Sequence, residues 1–300
     1  MNPIRLYASA PALSRLSLGG ATFGREIDEP AAFALMDCAR ERGITLFDTA
    51  TNYSAGASET IIGHWLKSRQ PDPNSLTVTT KIYPPFTAQA INVAVAASAE
   101  RLGVSTIDVL YLHKWDETAA TAECVRALDL LIRDHRVRAL GASNFDGAQL
   151  KTTLELQERL GLARFVILQN NNNLAIRDVD NALVDLCTQY HVAITTYSPL
   201  GAGFLTGKHR EGVQPGSRFA VSPGHQAVYF NAVAERRLNK LSEVAAHSGH
   251  SMTLLALAWA LHHRGVSTVL IGGRAPRHLD QAIAALAIDA PDLFAELETV

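Results

Sequence analysis

Along the chain, short β-rich apolar runs alternate with amphipathic helical stretches. "RLSLGGATFG" precedes "EPAAFALMDCARERG", in which Pro30 sits near a helix start and Gly43 closes it. "ITLFDTA" precedes "SETIIGHWLKSR", and "LTVTTKI" precedes "TAQAINVAVAASAERLG", which ends on Gly103. "IDVLYLH", "VRALGASN" and "RFVILQN" are each followed by a helical pattern, from Thr121, Gly147 and Val179 onward. "VAITTYSPLG" leads into a long segment and two helical stretches, and "STVLIGG" precedes "PRHLDQAIAALA". Runs such as "VAITTY" and "STVLIG" suit parallel strands covered on both faces. Parallel neighbours in turn require helical crossovers. Eight strand–helix units in 300 residues predict an α/β fold of the closed (β/α)8 TIM-barrel type, as one domain over residues 1–300. The competing doubly wound sheet would carry G-x-G-x-x-G after its first strand, which "SLGGATFG" does not match. No linker or shift in composition marks a second domain.

Composition narrows the function. The chain is 47% hydrophobic and 19% charged, enough for a large core. A net charge of -2 leaves no basic footprint for nucleic acid and no polybasic patch for a membrane surface. No apolar stretch reaches spanning length, and the opening "MNPIRLYASAPALSRLSLGG" lacks the apolar core of a secretory leader. A cytoplasmic protein is expected. Cys38, Cys124 and Cys187 lie within helical patterns and read as buried, reduced thiols. No Cys/His group has zinc spacing, so no metal is expected.

Barrel enzymes carry their chemistry at the C-terminal ends of the strands. Strand two delivers Asp48 there and its loop delivers Tyr53. Strand three gives Lys81, strand four His113, strand five Ser143 and Asn144, strand six Gln169, strand seven Tyr197, and strand eight "IGGRAPR". Singly, such residues are turn formers, caps or solvated edges. Jointly, Asp48, Tyr53, Lys81 and His113 converge on one mouth. A free phenol, with a pKa of about 10, is a weak acid for protonating an alkoxide at neutral pH. A neighbouring ammonium is expected to lower that value. Lys81 is the available cation, with Asp48 to hold it charged and His113 to fix a substrate carbonyl. That set suits carbonyl reduction by a hydride donor.

In this order, "FDTATNYSAGASE", "TTKI", "LYLHKWD", "ALGASNF", "LQN", "YSPLGAGFLTGK" and "IGGRAPRHLDQA" resemble the motifs of the aldo-keto reductase superfamily over almost the whole chain. Within it, the chain looks most like the bacterial branch of aryl-alcohol dehydrogenase-like and general-stress reductases. The resemblance implies a (β/α)8 barrel that binds NADPH extended across its mouth and reduces a small-molecule carbonyl substrate, with Tyr53 as general acid and Asp48, Lys81 and His113 as its partners. It implies that Ser143, Asn144 and Gln169 hold the nicotinamide carboxamide and that Tyr197 stacks on the ring. Ser198, Leu200 and Gly201 fall in the pyrophosphate segment, with Lys208 and Arg218 as further phosphate contacts. Gly272, Arg274 and Arg277 fall at the adenosine 2′-phosphate, and Gln281 near adenine. Two departures stand out: Asn170–Asn173 replace the acidic residue usual after the glutamine, and Gln281 replaces an asparagine.

Phe23, Tyr83 and Trp115 are expected as aromatic walls of the substrate pocket, suited to an aromatic aldehyde or the apolar face of a sugar. The long polar segment Gly207–Gln226 is expected as a loop closing over the pyrophosphate. Two other readings remain open: a Schiff-base enzyme using Lys81, and a nicotinamide-binding redox sensor, for which the potassium-channel β-subunits of the superfamily are the precedent. Substrate, preferred direction and oligomeric state are not encoded in these motifs.

Overall fold

The computed structural model describes residues 3–300. Its eight strands are β1 (Leu16–Gly19), β2 (Leu46–Asp48), β3 (Thr77–Ile82), β4 (Ile107–Leu112), β5 (Val137–Ser143), β6 (Phe165–Asn171), β7 (Ala193–Tyr197) and β8 (Val266–Gly272). They pair in parallel in chain order, and β8 returns to β1 to close a barrel. The predicted (β/α)8 architecture is therefore observed. The outer ring is built from α1 (Glu29–Glu41), α2 (Ala57–Arg69), α3 (Ala88–Leu102), α4 (Ala122–Arg133), α5 (Gly147–Arg159) and α6 (Asn181–Gln189). After β7 come two short helices, α7 (Arg218–Val221) and α8 (Gln226–Tyr229), then α9 (Ala232–Ser248) and α10 (Met252–His262). α11 (Pro276–Leu286) and α12 (Pro291–Leu297) follow β8.

The βα loops end at defined residues because the helix starts are capped. Asp28, Thr87, Thr121, Asp146 and Asp180 each accept a hydrogen bond from a first-turn N–H of α1, α3, α4, α5 and α6. Each such cap contributes roughly 0.5–2 kcal/mol. Asp146 and Gln149 form a reciprocal capping box. The three cysteines are buried and free.

Strand alternation divides the apolar residues into two cores. Leu46, Val109, Tyr111, Ala139, Ile167, Ala193 and Leu270 point inward and fill the barrel, with Leu6 beneath them. The residues between them, such as Phe47, Leu110, Leu140, Leu168 and Ile194, pack outward against the helices. Stepping by two residues from the inward set reaches Asp48, His113, Ser143, Gln169, Tyr197 and Gly272 at the strand ends. The alternation that fills the barrel thus aims these side chains into its mouth.

The segment after β7 departs from the expected open loop. Its apolar residues are too sparse for a periodic signal, yet His209 and Phe219 are buried. His209, Phe219 and Phe230 contact one another ring edge to face, and Phe204 and Tyr229 stack nearby. An aromatic cluster therefore folds the segment. Helix α12 was not anticipated either: its seven residues are too few to establish a period.

The barrel interior has little room. A Cβ on Gly141 would approach the Tyr111 ring to 2.6 Å and Ile167 to 2.8 Å. Gly141→Ala should therefore lower stability by about 1–3 kcal/mol, the usual cost of overpacking. Equilibrium urea denaturation measures this, and an unchanged midpoint would show that the interior yields.

Candidate active site

The mouth centres on a buried ion pair. Lys81 and Asp48 are 0% and 2% exposed, and Lys81 Nζ donates to Asp48 Oδ2 at 2.5 Å. Nζ also donates to the Thr49 carbonyl at 2.9 Å and to Tyr53 Oη at 3.3 Å. Those three acceptors use all three protons of an ammonium. Asp48 Oδ1 accepts from Thr79 Oγ1 at 2.7 Å and from Gln169 Nε2 at 2.9 Å. His113 stands beside them, its ring edge to face with Tyr53 at 5.8 Å and with Tyr83 at 4.7 Å. Asp48, Tyr53, Lys81 and His113, which the sequence places on separate strands and one loop, come together here.

Electrostatics correct one expectation. Lys81 was expected to lower the Tyr53 phenol pKa. Instead, burial and then the Asp48 carboxylate push it well above the ordinary 10.0. Asp48 at 2.5 Å largely offsets the Lys81 charge that Tyr53 would otherwise feel. Burial draws the Lys81 ammonium below its usual value while Asp48 opposes that shift. Burial, with Lys81 and Lys114 nearby, pulls His113 down to about 3. At neutral pH the site therefore presents a protonated phenol and a neutral imidazole. The imidazole Nδ1 is buried without a partner.

A chain of hydrogen bonds crosses the next strand ends. Tyr197 Oη donates to Asn144 Oδ1 at 2.6 Å, and Asn144 Nδ2 donates to the His113 carbonyl at 2.8 Å and to Ser143 Oγ at 3.1 Å. The Asn run satisfies loop backbone. Asn170 Nδ2 donates to the Phe145 carbonyl, and Asn173 Nδ2 to the Ser198 carbonyl. Asn173 Oδ1 accepts from the N–H groups of Ala175 and Ile176, while Asn171 pairs with the Tyr229 hydroxyl.

The loop after β7 is a tight turn with cations above it. Ser198, Gly201, Ala202 and Gly203 have φ of 55°, 57°, 56° and 95°, and within the turn the Gly201 N–H donates to the Ser198 carbonyl at 2.8 Å and the Gly203 N–H to the Leu200 carbonyl at 3.0 Å. A Cβ on Gly203 would sit 3.2 Å from Lys208 Nζ, so the ammonium overhangs that backbone. Burial and the Arg274 charge lower Lys208, and burial with Arg277, Arg274 and Lys208 lowers His278. Among the described residues, Lys208, Arg274 and Arg277 have no carboxylate partner. This donor set fits a phosphate-bearing cofactor. Gln281 lies exposed on α11, and Gly272 is exposed at the end of β8.

Three expected contacts differ. Phe23 is 0% exposed in the outer core, against Gly20, and so does not face the mouth. Arg218 is engaged by Glu26 at 2.6 Å, a pairing of residues far apart in sequence. Trp115 packs its edge on the buried Phe145 ring at 5.2 Å and is half-buried, whereas Tyr83 is exposed beside His113. Sequence reasoning also missed Glu26, Glu59 and His278. Only Glu59, at the end of the Tyr53 motif, left a signal. Among the described residues no group of three or more His, Cys, Asp or Glu is placed to hold a metal ion, and no helix is long and apolar enough to cross a membrane.

The chain is 29% identical over 304 residues to a probable voltage-gated potassium channel subunit beta of Oryza sativa subsp. japonica, covering 96% of this chain and 93% of that one. It is 28% identical over 287 residues to the similarly named Arabidopsis thaliana protein, covering 91% and 88% of the two chains. It is 29% identical over 314 residues to norsolorinic acid reductase B of Dothistroma septosporum, covering 96% and 77%. The sequence description of the Aldo/keto reductase family matches residues 15–296, and the chain belongs to that family.

Proposed function

We propose that the protein is an NADPH-dependent reductase of aldehydes or ketones, with Tyr53 as the proton donor. Family membership supports nicotinamide-dependent carbonyl reduction in general. The observation that carries the specific reading is the buried Asp48–Lys81–Tyr53 chain beside a neutral His113. The bound nicotinamide supplies a hydride. The chain's own residues do the rest. His113 and Tyr53 orient the carbonyl oxygen, and Tyr53 Oη delivers a proton to it. Lys81 Nζ then donates its hydrogen bond to the oxygen that has lost a proton. Because the phenol pKa is raised, Tyr53 stays protonated throughout neutral pH. Lys81, donating to Tyr53 Oη at 3.3 Å, stabilises the phenolate that remains and so works against the rise that burial and Asp48 impose.

Ser143, Asn144, Gln169 and Tyr197 are the proposed nicotinamide contacts, and Ser198, Leu200, Gly201 and Lys208 the proposed pyrophosphate contacts. Gly272, Arg274 and Arg277 are proposed for the 2′-phosphate. Substrate rings are proposed to meet Tyr83, with Trp115 behind it.

The same pocket in a channel-associated subunit would serve as a nicotinamide sensor, which is the reading favoured by the names of two relatives. Turnover of an aldehyde with NADPH separates the two. The Schiff-base alternative is disfavoured because Lys81 donates to three acceptors, as only an ammonium can.

Tyr53→Phe should reduce kcat by roughly 10²–10⁴-fold, the usual contribution of a placed general acid. NADPH affinity, read by fluorescence titration, should be unchanged. A variant that retains wild-type kcat would refute the proton-donor role.

For His113 the folded pKa is depressed, so the neutral form is the one the fold favours. Its contribution to stability is complete above the ordinary 6.5 and is lost as pH falls from there toward about 3. The kcat profile of reduction should accordingly show no break near 6.5. A break there that disappears in His113→Asn would mean that the imidazole titrates normally.

Arg274→Ala should raise KM for NADPH far more than KM for NADH, because a 2′-phosphate calls for a charge-assisted donor. Arg274 also donates to the Gly216 carbonyl at 2.9 Å. An equal rise for both cofactors would assign it to holding that segment alone.

A further inference from the structure

We propose that Glu59 and Arg101 are positioning residues for Tyr53, setting its phenol against Lys81 from outside the barrel wall. The proposal rests on the reading of Tyr53 as proton donor.

Tyr53 reaches Lys81 at the head of an unusual turn. Ser54, Ala55 and Gly56 follow it with φ of 50°, 54° and 93°, three successive left-handed residues, two of them bearing a Cβ. L-residues rarely adopt that conformation in series, and it persists only where the surroundings over-determine it. Those surroundings are visible. Ser54 Oγ donates to the Phe23 carbonyl at 2.7 Å. Gly24 lies so close to Ala57 that a Cβ would sit 2.9 Å away. Arg101, on α3, lays its side chain over Gly56, where an added Cβ would come within 2.9 Å of its Cδ and Nε.

Glu59 ties this turn to Lys81. It is 0% exposed on α2. One oxygen, Oε2, accepts from Arg101 Nε at 2.7 Å and Nη2 at 2.6 Å. The other accepts from Thr80 Oγ1. Thr80 precedes Lys81 on β3, so alternation turns Thr80 outward as it turns Lys81 inward. One carboxylate therefore holds the strand residue beside the ammonium and, through Arg101, the turn that carries the phenol. The contact it sets, Tyr53 Oη to Lys81 Nζ, is 3.3 Å, at the long end of hydrogen-bond range. A small displacement of the turn would break it.

A plainer role would be to bolt α2 to α3. That job is already done elsewhere: a Cβ on Gly63 would lie 2.4 Å from the Arg101 carbonyl oxygen, so the helix backbones are in direct contact. The side-chain pair instead points toward the turn and β3.

The test uses the full chain and two assays: reduction of para-nitrobenzaldehyde with NADPH, and oxidation of para-nitrobenzyl alcohol with NADP⁺ across pH. NADPH affinity and Tm are measured alongside. In Arg101→Met, kcat should fall by about tenfold or more, since misplacement by an ångström costs up to about 10²-fold. NADPH affinity should hold. The rise of oxidation rate with pH, which reads the phenolate, should move to higher pH as Tyr53 loses the ammonium. Arg101→Lys should recover part of kcat. Ser54→Ala releases the same turn without stranding a buried charge, so it should reproduce the kcat and pH changes with little loss of Tm. Arg101→Met and Ser54→Ala with wild-type kcat and pH profile, whatever their Tm, would overturn the proposal. Tyr53→Phe, run in parallel, separates the two readings: a fully active Tyr53→Phe removes the proton-donor assignment itself, whereas an inactive Tyr53→Phe beside unperturbed Arg101→Met and Ser54→Ala removes only the positioning role.

Discussion

A lysine ammonium and an aspartate carboxylate, both almost fully buried, meet at 2.5 Å where the barrel opens. Neither could be there alone, because an unpaired buried charge is prohibitively costly. Even a paired one is tolerated only when its remaining protons and lone pairs are satisfied. Lys81 is satisfied by Asp48, the Thr49 carbonyl and Tyr53; Asp48 by Lys81, Thr79 and Gln169. These groups come from β2, β3, β6 and one loop, so the pair is stable only in the closed barrel. The same site explains why the phenol pKa rises rather than falls: desolvation dominates, and the Asp48 carboxylate adds to it.

Much of this was legible in the sequence because it depends on period and order. Alternation within strands puts Asp48, His113, Ser143, Gln169 and Tyr197 on the face that fills the barrel, and any register that buried the apolar set would do the same. Chain order around the barrel then brings β2, β3 and β4 side by side, so Asp48, Lys81 and His113 must be neighbours. What could not be read were contacts made by irregular backbone. Arg218 meets Glu26 because a segment without hydrophobic period folds around its own aromatic residues. Phe23 packs into the outer core because Gly20 and Gly24 let its loop approach Ser58 and Ala57, a matter of atomic clearance rather than of pattern. The Asn170–Asn173 run departs from the family pattern, and satisfying loop backbone is one of the two roles its sequence allows, without saying which backbone. In the structure it pairs with carbonyls and N–H groups of three loops that no local signal connects.

The loop after β1 links the two halves of the mouth. At Phe23 its carbonyl accepts from Ser54 and so braces the turn that carries Tyr53. Three residues on, Glu26 has its carboxylate almost fully buried between Arg25 and Arg218. Arg218 opens α7 in the segment that arches over from β7, and Arg274 holds Gly216 of that segment from the β8 side. Acid turn, first loop and arching segment therefore lean on one another in sequence, through hydrogen bonds that add to the apolar anchors Phe23 and the His209–Phe219–Phe230 cluster. Lys81 and Asp48, one layer below, are held by the paired strands β2 and β3 themselves.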